Sequence, residues 1–250
     1  MLSTIWIYSL VSVFAVSLIS LIGVFVLKLK IEKLRKILLL LVSFSAGALL
    51  GDAFIHLLPE AVEENGFTLS LSFYILIGFL LFFVIEKFIH WHHCHLEPEH
   101  CHPHTFAYMN LFGDSVHNFI DGLIIGASYL VSIPVGIATT LAVIFHEIPQ
   151  EIGDFGVMVH GGFSTKKALF MNFLTALTAI IGVVIAIVLS SHLENISGFL
   201  IPFAAGGFLY IAASDLIPEL KKETKISKSI LQFITFILGI LVMYSLIFFE

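Results

Sequence analysis

Charge is what this sequence holds least of: 12% of its 250 residues are Asp, Glu, Lys or Arg, while 58% are hydrophobic. A soluble domain carries about 25% charged residues. A water-soluble globular fold is therefore excluded, and the chain reads as an all-α integral membrane protein. Cysteine is nearly absent too. The two present, Cys94 and Cys101, fall in one short segment, so no disulfide framework braces the fold. The first residues contain no basic n-region, and their apolar run is too long for a signal-peptide core, so they read as a first span. No stretch reads as a sizeable soluble domain. The net charge of -6 points to no nucleic-acid partner; the expected surroundings are the lipid bilayer.

What is there is a series of long apolar runs. Stretches of about 20 apolar residues mark spans, and eight lie near 4–27, 37–59, 68–90, 106–130, 133–159, 166–190, 197–219 and 229–248, forming one transmembrane domain over 1–250. Asn65-Gly66, Ser132 before Pro134, and Gly161-Gly162 mark turns between them. The Lys and Arg residues sit only near alternate connections: Lys28, Lys30, Lys33, Arg35 and Lys36; Lys87; Lys166 and Lys167; Lys221, Lys222, Lys225 and Lys228. The remaining connections hold Glu63, Glu64 and Glu194. The positive-inside rule then places the basic connections in the cytoplasm and both termini outside. His56-Leu57-Leu58-Pro59-Glu60 closes span two and Asp215-Leu216-Ile217-Pro218-Glu219 closes span seven, which runs the opposite way. That pattern predicts an inverted repeat, spans one to three against six to eight, around central spans four and five.

Two polar clusters interrupt the central spans. One is His117-Asn118-Phe119-Ile120-Asp121 and the other His146-Glu147-Ile148-Pro149-Gln150-Glu151. An ionised side chain at bilayer depth costs roughly 2.5–3.5 kcal/mol on insertion scales, so such a cluster calls for a task. Helical residues four apart share a face. His117 therefore projects with Asp121, His146 with Gln150, and Glu147 with Glu151. Imidazole with carboxylate suits zinc and also iron or manganese, whereas dedicated calcium sites use oxygen alone. Two ligand strips per helix offer donors for two adjacent ions. The fixed ring of Pro149 clashes with the Phe145 carbonyl, and the freed oxygen is expected near His146, as in the broken helices that line ion sites. Buried His and Asn also serve as interhelical hydrogen-bond glue, but this many polar groups at matched depth on consecutive helices exceed that role. A competing reading is an intramembrane zinc metalloprotease, because His146-Glu147 opens like H-E-x-x-H. That motif needs a second His at i+4, where this chain has Gln150.

At these residues the chain resembles the ZIP (Zrt/Irt-like) family of metal transporters. The subgroup pattern H-E-x-P-H-E-x-G-D-F is similar to His146-Glu147-Ile148-Pro149-Gln150-Glu151-Ile152-Gly153-Asp154-Phe155, and H-N-x-x-D-G matches His117-Asn118-Phe119-Ile120-Asp121-Gly122. The resemblance implies a carrier, without catalysis or catalytic cofactor, that moves Zn2+, or Fe2+, Mn2+ or Cd2+, toward the cytoplasm through a midplane binuclear centre. It implies a main site of His117, Asp121, His146 and position 150, with Asn118 and Glu147 beside it and a carboxylate bridging; Glu151 is a further candidate metal ligand. It places Asp52 and His56 on the outer approach, and Asp215 toward the inner exit. A homodimer and a prokaryotic plasma membrane follow from resemblance alone. The departure is Gln150, whose amide oxygen is a weaker zinc ligand than the imidazole of the pattern; span six also offers Asn172 rather than an acid.

Asp114, three residues before His117, is a further candidate for the exit path. Between spans three and four, at about 90–105, lie His90, His92, His93, Cys94, His95, His100, Cys101, His102 and His104. A tract of this composition binds metal, and on the expected cytoplasmic side it would act as an acceptor or sensor. Pro98 and Pro103 argue that it is a loop.

Overall fold

The computed structural model describes residues 2–26, 31–94, 103–192 and 196–249, and the regular structure among them is helical. Helix α1 (Leu2–Ile19) passes through a tight turn at Ser20–Ile22 into α2 (Gly23–Val26). Helix α3 (Ile31–Asp52) widens into a π-helical turn at Ala53–Leu57 before α4 (Leu58–Asn65), and α5 covers Leu69–Cys94. The central pair is α6 (Pro103–Val131) and α7 (Ile133–His160). Next, α8 (Thr165–Ala176) and α9 (Thr178–Ser190) are parted at Leu177. A second π-helical turn, Ile211–Leu216, joins α10 (Ser197–Tyr210) to α11 (Ile217–Leu220), and α12 spans Ile226–Leu246.

The punctuation follows local chemistry. Ser132 caps α7 by accepting a hydrogen bond from the Val135 amide, with Pro134 inside the first turn, and Ser164 caps α8 in the same way from Lys167. Chain reversals after α4 and α7 use Gly66 at φ 68° and Gly162 at φ 89°, conformations that favour glycine. Each π-helical turn ends two residues before a proline, Pro59 or Pro218. A proline ring clashes with the carbonyl four residues back, and widening the preceding turn relieves that clash. The break at Leu177 lies between Thr175 and Thr178, whose hydroxyls both bond to backbone carbonyls of the preceding turn.

Among the described residues, six helical runs are long and apolar enough to cross a membrane: Ser3–Phe25, Ile37–Glu64, Leu69–Lys87, Thr165–Ser190, Ser197–Leu220 and Ile226–Leu246. Helices α6 and α7 are as long, at 29 and 28 residues, but carry the acids of the polar clusters. Phe73 and Phe233 on α5 and α12 are exposed, as lipid-facing side chains would be, while Phe203 and Phe208 on α10 are buried. The backbone of 90–94 and 103–105 is helical, so the connection between α5 and α6 is shorter than its composition suggested. Of its candidate ligands, His95, His100, Cys101 and His102 lie outside the described residues.

The helices associate in two groups. In one, α3 packs along α12 and α5 along α10; in the other, α6 packs against α9 and α7, with α1 beside them. Glycines set the crossings. A Cβ on Gly47 would stand 2.0 Å from the Phe236 carbonyl and one on Gly239 2.2 Å from that of Phe44. On the other pair, Gly206 meets the Ile75 carbonyl at 2.0 Å and Gly78 that of Phe203 at 2.0 Å. These contacts are related. Phe44 and Phe203, Gly47 and Gly206, Ala53 and Ala212, and Pro59 and Pro218 are all equally spaced in sequence; so, by a second constant spacing, are Ile75 with Phe236 and Gly78 with Gly239.

A methyl group at Gly206 has no room against backbone. Gly206→Ala is expected to cost about 1–3 kcal/mol, the usual range for overpacking, and to lower the melting temperature in detergent. Gly156→Ala, where a Cβ meets nothing within 4 Å, should not lower it.

Candidate metal centre

Helices α6 and α7 bring their polar faces together in the interior. His117 Nε2 lies 3.3 Å from His146 Nε2, 3.6 Å from Asp121 Oδ2 and 3.4 Å from Glu147 Oε1. His146 Nε2 lies 3.1 Å from Asp121 Oδ2 and 3.6 Å from Glu147 Oε1. The side chains of Asp121, His146 and Glu147 are at most 1% exposed, and that of His117 is 16% exposed. His146 donates from Nδ1 to the Ala142 carbonyl at 3.2 Å, which leaves Nε2 as a lone-pair atom facing the group. Nε2 of His146, Oδ2 of Asp121 and Oε1 of Glu147 are then all acceptors, and they converge around His117 Nε2. A tetrahedral ion with bonds of about 2.0–2.1 Å holds its ligands about 3.3 Å apart, close to this spacing. The group fits a zinc-sized cation.

Of the main-site residues expected from the sequence, His117, Asp121 and His146 are in this group, and Glu147 supplies the fourth ligand atom. Gln150 lines the adjoining cavity beside His117 and His146. Asn118 and Glu151 lie outside this group of four. Asn118 donates to Asp114 Oδ1 at 2.8 Å, and Asn172 donates to Glu151 Oε2. Asp114, Glu151 and Asp154 form a second buried group of potential ligands. Thr175 donates to Asp114 Oδ2 at 2.5 Å, and Asn110 to Asp154 Oδ1 at 2.9 Å. Sequence reading passed over Asn110, Asp154 and Thr175. Asp154 stands seven residues after Glu147, a spacing that returns to the same helix face, so that signal was available.

Pro149 does not leave a carbonyl for an ion. Ser45 of α3 donates to the Phe145 oxygen at 2.5 Å, and Phe44 meets the Phe145 ring edge-on at 4.7 Å. A neighbouring helix satisfies what proline frees, as buried backbone requires. Aromatic rings wall the ligands: Phe82 stands edge-on to His117 and Phe208 to His146.

A cavity of about 640 Å³ opens from the group and is lined by Asp114, Asp154, Glu86, Asp215, Glu219 and Lys222 among others. It leads to the end of the molecule where Lys221 and Lys222 follow α11. Asp215 and Asp114 lie along it. Asp52 and His56, at 0% and 3% exposure, are buried and do not line this cavity; His56 donates from Nε2 to the Met243 carbonyl at 3.0 Å.

Ser45→Ala strands the Phe145 carbonyl. A lost buried partner costs about 1–3 kcal/mol, so the variant should melt earlier in detergent, whereas Ser191→Ala, at an exposed helix end, should not.

Comparison with known proteins agrees with this geometry. A family model described as ZIP zinc transporter matches residues 3–105 and 92–247. The chain is 31% identical to the zinc transporter zipt-7.1 of Caenorhabditis briggsae, over 96% of this chain and 78% of that protein. It is 35% identical to the zinc transporter ZIP13 of Pongo abelii, over 81% of this chain and 65% of the relative. With the zinc transporter SLC39A7 of Mus musculus it shares 28% identity, over 96% of this chain and 69% of the relative. A metalloprotease reading finds Gln150 where a second ligand histidine is needed, and no support among these relatives. With its helical bundle, its buried imidazole–carboxylate group and these matches, the chain belongs to the ZIP zinc transporter family.

Proposed function

We propose that the chain carries zinc across a membrane, toward the cytoplasm, through the His117–Asp121–His146–Glu147 centre. Fe2+, Mn2+ and Cd2+ are related ions that the same donor set accommodates. The observation that carries this reading is the convergence of ligand atoms at 3.1–3.6 Å inside two long helices, at the head of a cavity that reaches one end of the bundle. The zinc-transporter names of the relatives support the choice of metal.

In this reading α6 and α7 also cross the bilayer, giving eight crossings, because their acids face protein rather than lipid. The equal sequence spacing of the glycine contacts and the π-helical turn in each of α3–α4 and α10–α11 support an inverted repeat. The basic end, with Lys87, Lys166, Lys167 and Lys221, is cytoplasmic by the positive-inside rule, and both termini are outside. The cavity then opens toward the cytoplasm, with the approach by Asp52 and His56 closed. Alternating access follows if the group bearing all four ligands shifts against the other, since the close glycine crossings among the described residues lie within the groups. A second ion, one turn along, makes the centre binuclear. The histidine- and cysteine-bearing segment at 90–104 receives the released ion. The relatives named here are animal proteins and lend nothing to a prokaryotic plasma membrane; integral membrane location is what they support.

Proteoliposomes containing the natural chain should accumulate zinc. Loss of an outer-shell partner typically costs 10–100-fold, so His146→Ala, which removes a ligand, should lower the initial rate by at least about 100-fold. Gln150→His adds a softer ligand and should raise the preference for zinc over Mn2+. Full uptake by folded His146→Ala protein would refute the assignment.

A further inference from the structure

Five carboxylates line the cavity that leads from the centre: Glu86, Asp114, Asp154, Asp215 and Glu219. An ion path must bind its ion well enough to admit it and loosely enough to let it leave. Bare carboxylates in a row would hold a divalent cation rather than pass it on. Donors are set against them. Asn118 and Thr175 donate to Asp114, Asn110 to Asp154, and Lys222 to Glu219.

Glu86 is held by a tyrosine. Its Oε2 accepts from the hydroxyl of Tyr210, the last residue of α10 before the π-helical turn at Ile211–Leu216. Tyr210 is 5% exposed, and its ring meets those of Phe79 and Phe83 edge-on at 5.1 and 6.3 Å. These contacts from α5 aim the phenol oxygen. Glu86, also on α5, is half-buried, and its carboxyl lies within hydrogen-bonding reach of Asp215. Tyr210, Glu86 and Asp215 all line the cavity.

The related helix pair has neither group. The spacing that matches Gly47 with Gly206 matches Gly51 with Tyr210, and the spacing that matches Gly78 with Gly239 matches Glu86 with Ile247. At Gly51 a Cβ would stand 2.8 Å from the Met243 Cβ, so close packing of helices fills that position. Such a crossing therefore needs neither a tyrosine nor an acid. The tyrosine–glutamate pair occurs on the half that lines the open cavity, which ties it to the path rather than to the packing.

We propose that Tyr210 is a positioning residue for ion release: its hydroxyl occupies one Glu86 oxygen and so keeps Glu86, beside Asp215, from trapping the departing ion. A hydrogen bond donated to a carboxylate stabilises its charge and engages a lone pair, which makes it a poorer ligand. The ion then moves on down the cavity. This inference rests on the transport reading above.

Tyr210→Phe keeps the ring and its contacts and removes the hydroxyl. In proteoliposomes its maximal rate of zinc uptake and its half-saturating zinc concentration should both fall, by about fivefold for one hydrogen bond. Their ratio should stay nearly constant, because release is slowed and entry is not. Adding Glu86→Gln, which removes the trapping charge, should restore the rate. In detergent, zinc binding by the His117→Ala/His146→Ala chain should tighten to a similar degree with Tyr210→Phe, and Glu86→Gln should cancel the gain. An unchanged rate and affinity in Tyr210→Phe would overturn the proposal. So would a fall in maximal rate alone, or a slowed variant that Glu86→Gln does not rescue. Failure of the transport reading itself would appear separately, as full zinc uptake by His146→Ala protein with the affinity difference in detergent intact.

Discussion

Acceptor atoms that face one another in a dry interior set the terms for this molecule. His146 Nε2, Asp121 Oδ2 and Glu147 Oε1 converge beside His117, with His146 fixed as an acceptor by its bond to the Ala142 carbonyl. Like-natured lone pairs at 3.1–3.6 Å repel unless a cation, or a proton on His117, lies among them. The surrounding structure holds them there because helices α6 and α7 are long, buried and tied to their neighbours, so the site is preorganised rather than assembled by the ion.

The rest of the fold serves that constraint. Glycines at helix crossings let backbones approach closely within each of the two helix groups, which gives firm bodies without polar cross-links in hydrocarbon. At two backbone irregularities a side chain of a neighbouring helix answers a freed carbonyl: Ser45 that of Phe145, and Ser17 that of Ala176 beside the break between α8 and α9. The acids of the centre, Asp121 and Glu147, are buried against the imidazoles of His117 and His146, not exposed to lipid. A chain that is 58% hydrophobic thus carries buried carboxylates at acceptable cost.

Much of this was legible in the sequence, because membrane spans are written in composition. Among the described residues, six of the eight apolar runs correspond to helical runs long and apolar enough to cross a membrane, and Gly66, Ser132 and Gly162 mark boundaries where the structure places them. His117, Asp121 and His146 were identified from helical spacing and family resemblance. What spacing could not give was rotamer and partner. Asn118 sits on the face adjoining His117, yet its amide turns back one turn to Asp114, and Glu151 turns to Asn172 on a different helix. The capped Phe145 carbonyl also depended on a contact 100 residues distant in sequence, which no local pattern announces. The π-helical turns before Pro59 and Pro218 were visible only as prolines; how the backbone absorbs the clash is a tertiary matter.

The central claim is where the ion sits, and zinc-edge anomalous diffraction from zinc-loaded protein locates it most directly. The account predicts a peak within about 2.0–2.2 Å of Nε2 of His117 and His146 and of the Asp121 carboxylate. Zinc bound only in the segment at 90–104 or on the outer surface, with none between α6 and α7, would contradict it.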